Sequence, residues 1–252
     1  MIFGKYFPYH KKMDDYYAKK STIDEIRARF DADVERFSNL ETGQISTVDA
    51  PLAMELISCA AAVSTNPISN ILDIGCGAGN NTIKLLEYAP NVNCDLLDLS
   101  ENMLVRAKQR VGALARGNVR IFCGDFRSVK LEENFYDVVL ACAVLHHLRD
   151  DEDWEFALKK IFSILKKGGS LWITDLVDHS IPGVQNMMRG RYGEYLSKIG
   201  GDDYRDNVFK YIDHEDTPRS LYYQIELMKK IGFSKTEILH KNSCFAAYGA
   251  IK

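Results

Sequence analysis

The chain has 252 residues, of which 46% are hydrophobic and 27% charged, and a formal net charge of −3 at pH 7. This balance is ordinary for a globular protein and suits one large domain, or a core with a small cap. It gives no electrostatic reason to expect a nucleic-acid partner beyond a local patch, and no apolar run approaches the ~18–20 residues of a membrane span.

The opening stretch MIFGKYFPYHKK is aromatic and basic but lacks the apolar core of a signal peptide, so a cytoplasmic protein is expected. Helix-like periodicity appears around Thr22–Leu40 and over Ala50–Val63. Then comes ILDIGCGAGNNT (71–82): an apolar run, an acidic residue, and glycines at 75, 77 and 79. Ile71–Ile74 reads as a buried strand, with Asn80 or Asn81 capping a helix that opens at Thr82. Glycines at such a turn remove every Cβ and let a ligand approach the backbone. The helix N-terminus beyond offers unpaired N–H groups to a carboxylate or phosphate.

Downstream, CDLLD ends in Asp98, where an acidic residue holds the two hydroxyls of a nucleoside ribose. Ser100 follows as a helix cap. VRIFCGD is a third strand ending at Asp125, and YDVVLA a fourth ending at Ala141. A helical pattern from Asp151 to Leu165 leads through KKGG into SLWITD, the fifth. Strands alternating with amphipathic helices predict a doubly wound, mostly parallel α/β sheet with ligand-binding groups at strand C-terminal ends. An insertion over 177–217 precedes a last helix, for which Thr217 and Pro218 supply cap and first-turn chemistry. The cysteines at 59, 76, 94, 123, 142 and 244 include no Cys-x-x-Cys pair, so neither a metal site nor a disulfide framework is indicated.

Two nucleoside cofactors compete for this pattern. A dinucleotide fingerprint wants Gly-x-Gly-x-x-Gly, and the sixth position here is Asn80. The Asp-x-Gly-x-Gly-x-Gly turn, with Asp98 and Asp125, instead resembles the class I methyltransferases that use S-adenosylmethionine. LHHL after the fourth strand, LKKGG before the fifth, and the closing IGF, SKTEIL and CFAAYGAI segments extend that resemblance over roughly Ser69 to Lys252. It implies a seven-stranded sheet with an antiparallel last strand and helices on both faces. Within one domain, residues 1–66 form an N-terminal helical lid, 67–176 the cofactor half, 177–217 a cap insertion, and 218–252 a C-terminal helix and strand hairpin.

The resemblance also implies roles. Gly75, Cys76 and Gly77 lie along the methionyl and ribose parts, and Asp73 pairs with the ammonium or fixes the loop. Asp98 accepts from the ribose hydroxyls, Asp125 and Phe126 form the adenine site, and Ala141 meets the cofactor at the fourth strand's end. Leu99 and Met103 pack on the adenosine, although Met103 fits a core stripe with Leu104, Ala107 and Val111 equally well. A second resemblance lies in FDADVERF (Phe30–Phe37), which looks like the entrance segment of bacterial enzymes of transfer-RNA wobble-uridine carboxymethylation. Their cofactor is carboxy-S-adenosylmethionine, held by a cap arginine whose nearest positional match is Arg205. Gly75-Cys76-Gly77 and Ala141 depart from that family's Gly-Cys-Ser and asparagine, which places ordinary S-adenosylmethionine ahead.

Methyl transfer from a sulfonium to a small-molecule acceptor is the function these features imply, with oxygen, nitrogen, carbon and sulfur acceptors all open. It needs a general base only if the acceptor must lose a proton early. His146 and His147 are the candidates, with structural punctuation as the alternative, and His179 and His214 follow in the insertion. Tyr16, Tyr17, Arg189, Tyr192 and Arg205 are candidate acceptor-binding residues, or ordinary lid packing and solvated charge. A non-catalytic protein that binds the cofactor and regulates a partner would show the same turn. A homodimer through the aromatic N-terminus is a further expectation.

Overall fold

Residues 20–39 and 43–252 are described by the computed structural model. Seven strands form one sheet: β1 (Asn70–Ile74), β2 (Asn93–Asp98), β3 (Val119–Cys123), β4 (Tyr136–Cys142), β5 (Leu165–Leu176), β6 (Lys235–Asn242) and β7 (Phe245–Ile251). Their order is β3-β2-β1-β4-β5-β7-β6. β1 to β5 pair in parallel, and β7 runs antiparallel to both β5 and β6, as the sequence leads one to expect.

Alternation along the strands explains the layers, because successive side chains point to opposite faces. On one face Leu72, Ile74, Val139 and Ala141 pack under α6 (Asp151–Ile164) and α8 (Leu221–Ile231). On the other, Ile71, Val138, Leu140 and Cys142 meet α3 (Ala50–Ser64), α4 (Asn80–Leu86) and α5 (Glu101–Gly112). Both faces are covered, so β4 is buried along its whole length.

Two short helices, α1 (Ile23–Ala32) and α2 (Val34–Ser38), precede this core. A capping box starts α1: Thr22 accepts from the Glu25 backbone, and the Glu25 side chain returns to the Thr22 backbone. The insertion forms α7 (Pro182–Glu215), broken at Gly201, whose φ of 81° and ψ of −179° suit only glycine. The arms 182–200 and 202–215 fold back on each other, with Ser197 bonded to Asp202 and Arg189 to Asp213. No described helix is long and apolar enough to cross a membrane.

Several boundaries differ from the sequence reading; β4 runs on to Cys142, and β5 begins at Leu165 and takes in KKGG. Helix α4 opens at Asn80 with Gly79 as its cap, because Asn80 is drawn away to the Phe37 carbonyl and to Arg110. The third strand closes at Cys123, which leaves Asp125 in the following turn. The last helix starts at Leu221 under a Ser220 cap, while Thr217 bonds backward to the carbonyls of His146 and Leu148.

Candidate cofactor and acceptor site

The glycine turn sits at the C-terminal end of β1, between β2 and β4. Its three glycines all have positive φ, and their surroundings divide them. A Cβ on Gly75 would meet Val144 at 2.7 Å and one on Gly79 would meet Val111 at 2.8 Å, whereas one on Gly77 finds nothing within 4 Å. Gly75 and Gly79 are therefore needed for packing, and Gly77 borders open space. Cys76 turns inward among the buried residues beneath α3 and α5, with its N–H donating to the Leu97 carbonyl.

Two carboxylates flank the turn. Asp98, at the end of β2, accepts from the Gly77 N–H at 2.8 Å and from the Ser100 N–H at 2.9 Å, one on each oxygen. A carboxylate has about four acceptor sites, so capacity for a diol remains. Burial raises its pKa against these backbone bonds. Asp73 is fully buried; Oδ2 accepts from Thr82 at 2.6 Å, and Oδ1 has no partner. Burial, helped by the charge of Asp98 and opposed by Thr82, pushes its carboxyl up to about 7.

The residues expected on the adenine side hold partners of their own. Asp125 is clasped by Arg127, which also bridges to Asp153 at 2.7 Å. Burial opposes ionisation of Asp125, but the Arg127 hydrogen bonds and charge win and hold its pKa low. Phe126 is 7% exposed, and its carbonyl accepts from Lys160 at 2.6 Å. Leu99 is half-buried and offers its carbonyl to Arg27 of α1, while Met103 is buried in α5 with the rest of its stripe. Ala141 is buried in the sheet one residue before β4 ends.

α1 lies against this end of β2: Ser100 donates to Asp31, and Arg27 reaches the Leu99 carbonyl at 3.2 Å. Neither Arg27 nor Asp31 stood out in the sequence, since nothing local to α1 points to β2. Tyr16 and Tyr17 lie outside the described residues.

Val144, which fills the space above Gly75, leads into the single turn Leu145–His147. His146 Nδ1 bonds Asp175 at the end of β5, and the same carboxylate accepts from the N–H groups of Leu145, His146 and Leu176. On its other side His146 Nε2 lies 3.7 Å from Asp216 Oδ1, and His147 Nδ1 lies 3.3 Å from that atom. Burial would lower the His146 pKa, but Asp175 and Asp216 raise it to about 9. His147 is lowered by burial and by the charge of His146. Burial works against the Asp216 charge, yet His146 and His147 keep that carboxyl below its ordinary value.

Asp216 also walls a cavity of about 130 Å³ under the hairpin, with Asp178, Arg189, Tyr192 and Phe209. A space of this size takes a ring-sized group. Tyr192 packs between Phe209 and Phe245 and donates to the Ser46 carbonyl, and Arg189 pairs with Asp213 over the Phe209 ring. Arg205 lies instead in the groove between the hairpin arms, paired with Asp202 and Asp206. His179 bonds Gln185 and Lys241, and His214 meets Ser21 at 3.0 Å. Asp175 and Asp216 are the site-forming residues that sequence reasoning passed over; SLWITD ends on Asp175, but no local pattern marks Asp216.

Residues 71–169 match a family described as a methyltransferase domain. That segment, from β1 into β5, makes the chain similar to the class I S-adenosylmethionine-dependent methyltransferases. The chain is 28% identical over 188 residues to a demethylmenaquinone methyltransferase of Lactococcus lactis, covering 73% of each chain. It is 27% identical over 188 residues to a carboxy-S-adenosyl-L-methionine synthase of Shewanella sediminis, covering 73% of this chain and 76% of that one. Among solved structures, a putative S-adenosyl-L-methionine-dependent methyltransferase of Methanococcus maripaludis superposes with a TM-score of 0.57 at 19% identity, covering 87% of this chain and 92% of that chain. That last likeness is one of fold.

Proposed function

We propose that the protein transfers the methyl group of S-adenosylmethionine to a small molecule held beneath the hairpin. The observation that carries this reading is the open space at Gly77, bordered by Asp98 and just beyond β1, which carries the unpartnered Oδ1 of Asp73. A ligand with an ammonium and a vicinal diol matches those groups. Asp73 would face the ammonium, Asp98 the ribose hydroxyls, and the Gly77 backbone the methionyl chain.

When bound, the cofactor supplies a methyl group already activated on a sulfonium. The chain then contributes position and exclusion of water, and orientation alone supplies up to roughly 7–11 kcal/mol in favourable cases. α1 covers the β2 end and α2 lies against α5, while Arg189 and Tyr192 wall the acceptor cavity. His146 is held between Asp175 and Asp216, which commits its ring to these carboxylates and leaves it no free base for an acceptor. The pairing of Arg205 with Asp202 and Asp206 favours the ordinary cofactor over the carboxylated one.

Native mass spectrometry of the freshly purified protein, followed by calorimetric titration, tests this reading. Bound S-adenosylmethionine or S-adenosylhomocysteine, or saturable binding of either, is the expected result. A retained nucleoside heavier by one carboxyl group would replace the donor. Failure to bind any of the three would overturn the assignment.

A further inference from the structure

We propose that His146, His147 and Asp216 form a binding site for a divalent transition-metal ion of the zinc class. The donors come from two distant segments, the turn after β4 and the exit of the hairpin. One donor atom from each residue lies within 4.8 Å of the other two. His147 Nδ1 and His146 Nε2 stand 3.3 Å and 3.7 Å from Asp216 Oδ1. Ligand atoms at about 2.0–2.2 Å from a tetrahedral ion are roughly 3.3–3.6 Å apart, so the cluster is close to ligating spacing.

Two further observations point to a cation. His147 Nδ1 and Asp216 Oδ1 are both buried without a hydrogen-bond partner, and Asp216 is only 5% exposed. Leaving two such atoms side by side is costly, and one ion between them satisfies both. Asp175 bonds His146 through Nδ1 and so leaves Nε2 to ligate, the carboxylate–histidine support found behind metal-binding imidazoles. Two imidazoles and one carboxylate suit zinc or iron(II), whereas magnesium and calcium prefer oxygen shells. Because Asp216 also walls the cavity, an oxygen-bearing molecule there has access to the ion.

This inference does not rest on methyl transfer, and its test reads metal alone. The full chain is titrated with cobalt(II) chloride, followed by absorption and by equilibrium dialysis, with zinc chloride as competitor. One ion per chain with the spectrum of a nitrogen–oxygen site is expected. Asp175→Asn should weaken uptake about 10- to 100-fold, and His147→Gln and Asp216→Asn by at least about tenfold. His179→Gln, outside the cluster, should bind like the wild type. If Asp216→Asn does not fold, His147→Gln carries the comparison. A thiolate-to-cobalt charge-transfer band would move the ion to a cysteine and overturn the proposal. So would the absence of uptake, or uptake unchanged in His147→Gln.

Discussion

Asp73 would couple stability to ligand binding through one side chain. Its ordinary pKa of 3.8 rises to about 7 in the folded chain. Between those values the native state keeps a proton that the unfolded chain has lost, so stability falls as pH rises through the window. The loss is on the order of 4 kcal/mol if Asp73 dominates. Urea midpoints measured from pH 4 to 8 should therefore decline in the wild type, and that part of the decline should vanish in Asp73→Asn. A bound ammonium would favour the charged carboxylate. Cofactor binding near pH 7 is then expected to release protons, seen as a calorimetric enthalpy that depends on the buffer. Asp98→Ala removes the acceptors proposed for the ribose hydroxyls and should weaken cofactor affinity by more than about tenfold, equivalent to about 1.4 kcal/mol. Near-wild-type affinity would take Asp98 out of the site.

Within the turn between β1 and α4, the glycines separate packing from binding. Gly75→Ala combines positive-φ strain with a Cβ 2.7 Å from Val144, so a stability loss of about 2–4 kcal/mol is expected. Gly77→Ala meets no neighbour and should cost only the backbone strain, about 1–2 kcal/mol. Its Cβ would instead occupy the space assigned to the cofactor. Gly77→Ala should thus lose at least about tenfold in affinity, or 1.4 kcal/mol, while staying folded. Paired denaturation and calorimetry on the two variants check the contrast, and equal affinity for wild type and Gly77→Ala would remove that space from the binding site.

Across the whole molecule, the N-terminal segment and the hairpin meet in a polar interface. Lys20 donates to the carbonyls of Asp213 and Asp216, Ser21 and Arg29 bond Glu215, and Arg29 reaches the Tyr211 hydroxyl at 2.8 Å. Arg149, just beyond the His147 turn, bonds the carbonyls of Ser21 and Glu215. These contacts tie the N-terminal segment and the hairpin to each other and to the histidine turn. Arg29→Ala leaves the buried Glu215 carboxylate without its cation, which loosens α1 more than the sheet. Hydrogen exchange over 23–38 should rise, and the cofactor off-rate should increase on the order of tenfold, about 1.4 kcal/mol. An unchanged off-rate would uncouple the interface from cofactor retention.

Local chemistry determined the parts of this protein that a contiguous stretch can specify. Apolar alternation in ILDI and YDVVLAC set two-faced strands, and the glycines of 75–79 set a turn only they can make. Asp98 was legible because it ends a strand whose neighbour carries that turn. The tertiary structure alone decided the histidine cluster, since Asp175 lies 29 residues from His146 in the chain and Thr217 lies 71 from it. It also turned Thr217 from a helix cap into a tie for the His146 loop, and committed Arg205 to hairpin aspartates. The physical reason is common to all three. Polar side chains are satisfied by whichever partners folding brings within about 3 Å, and periodicity along the chain carries no record of those partners.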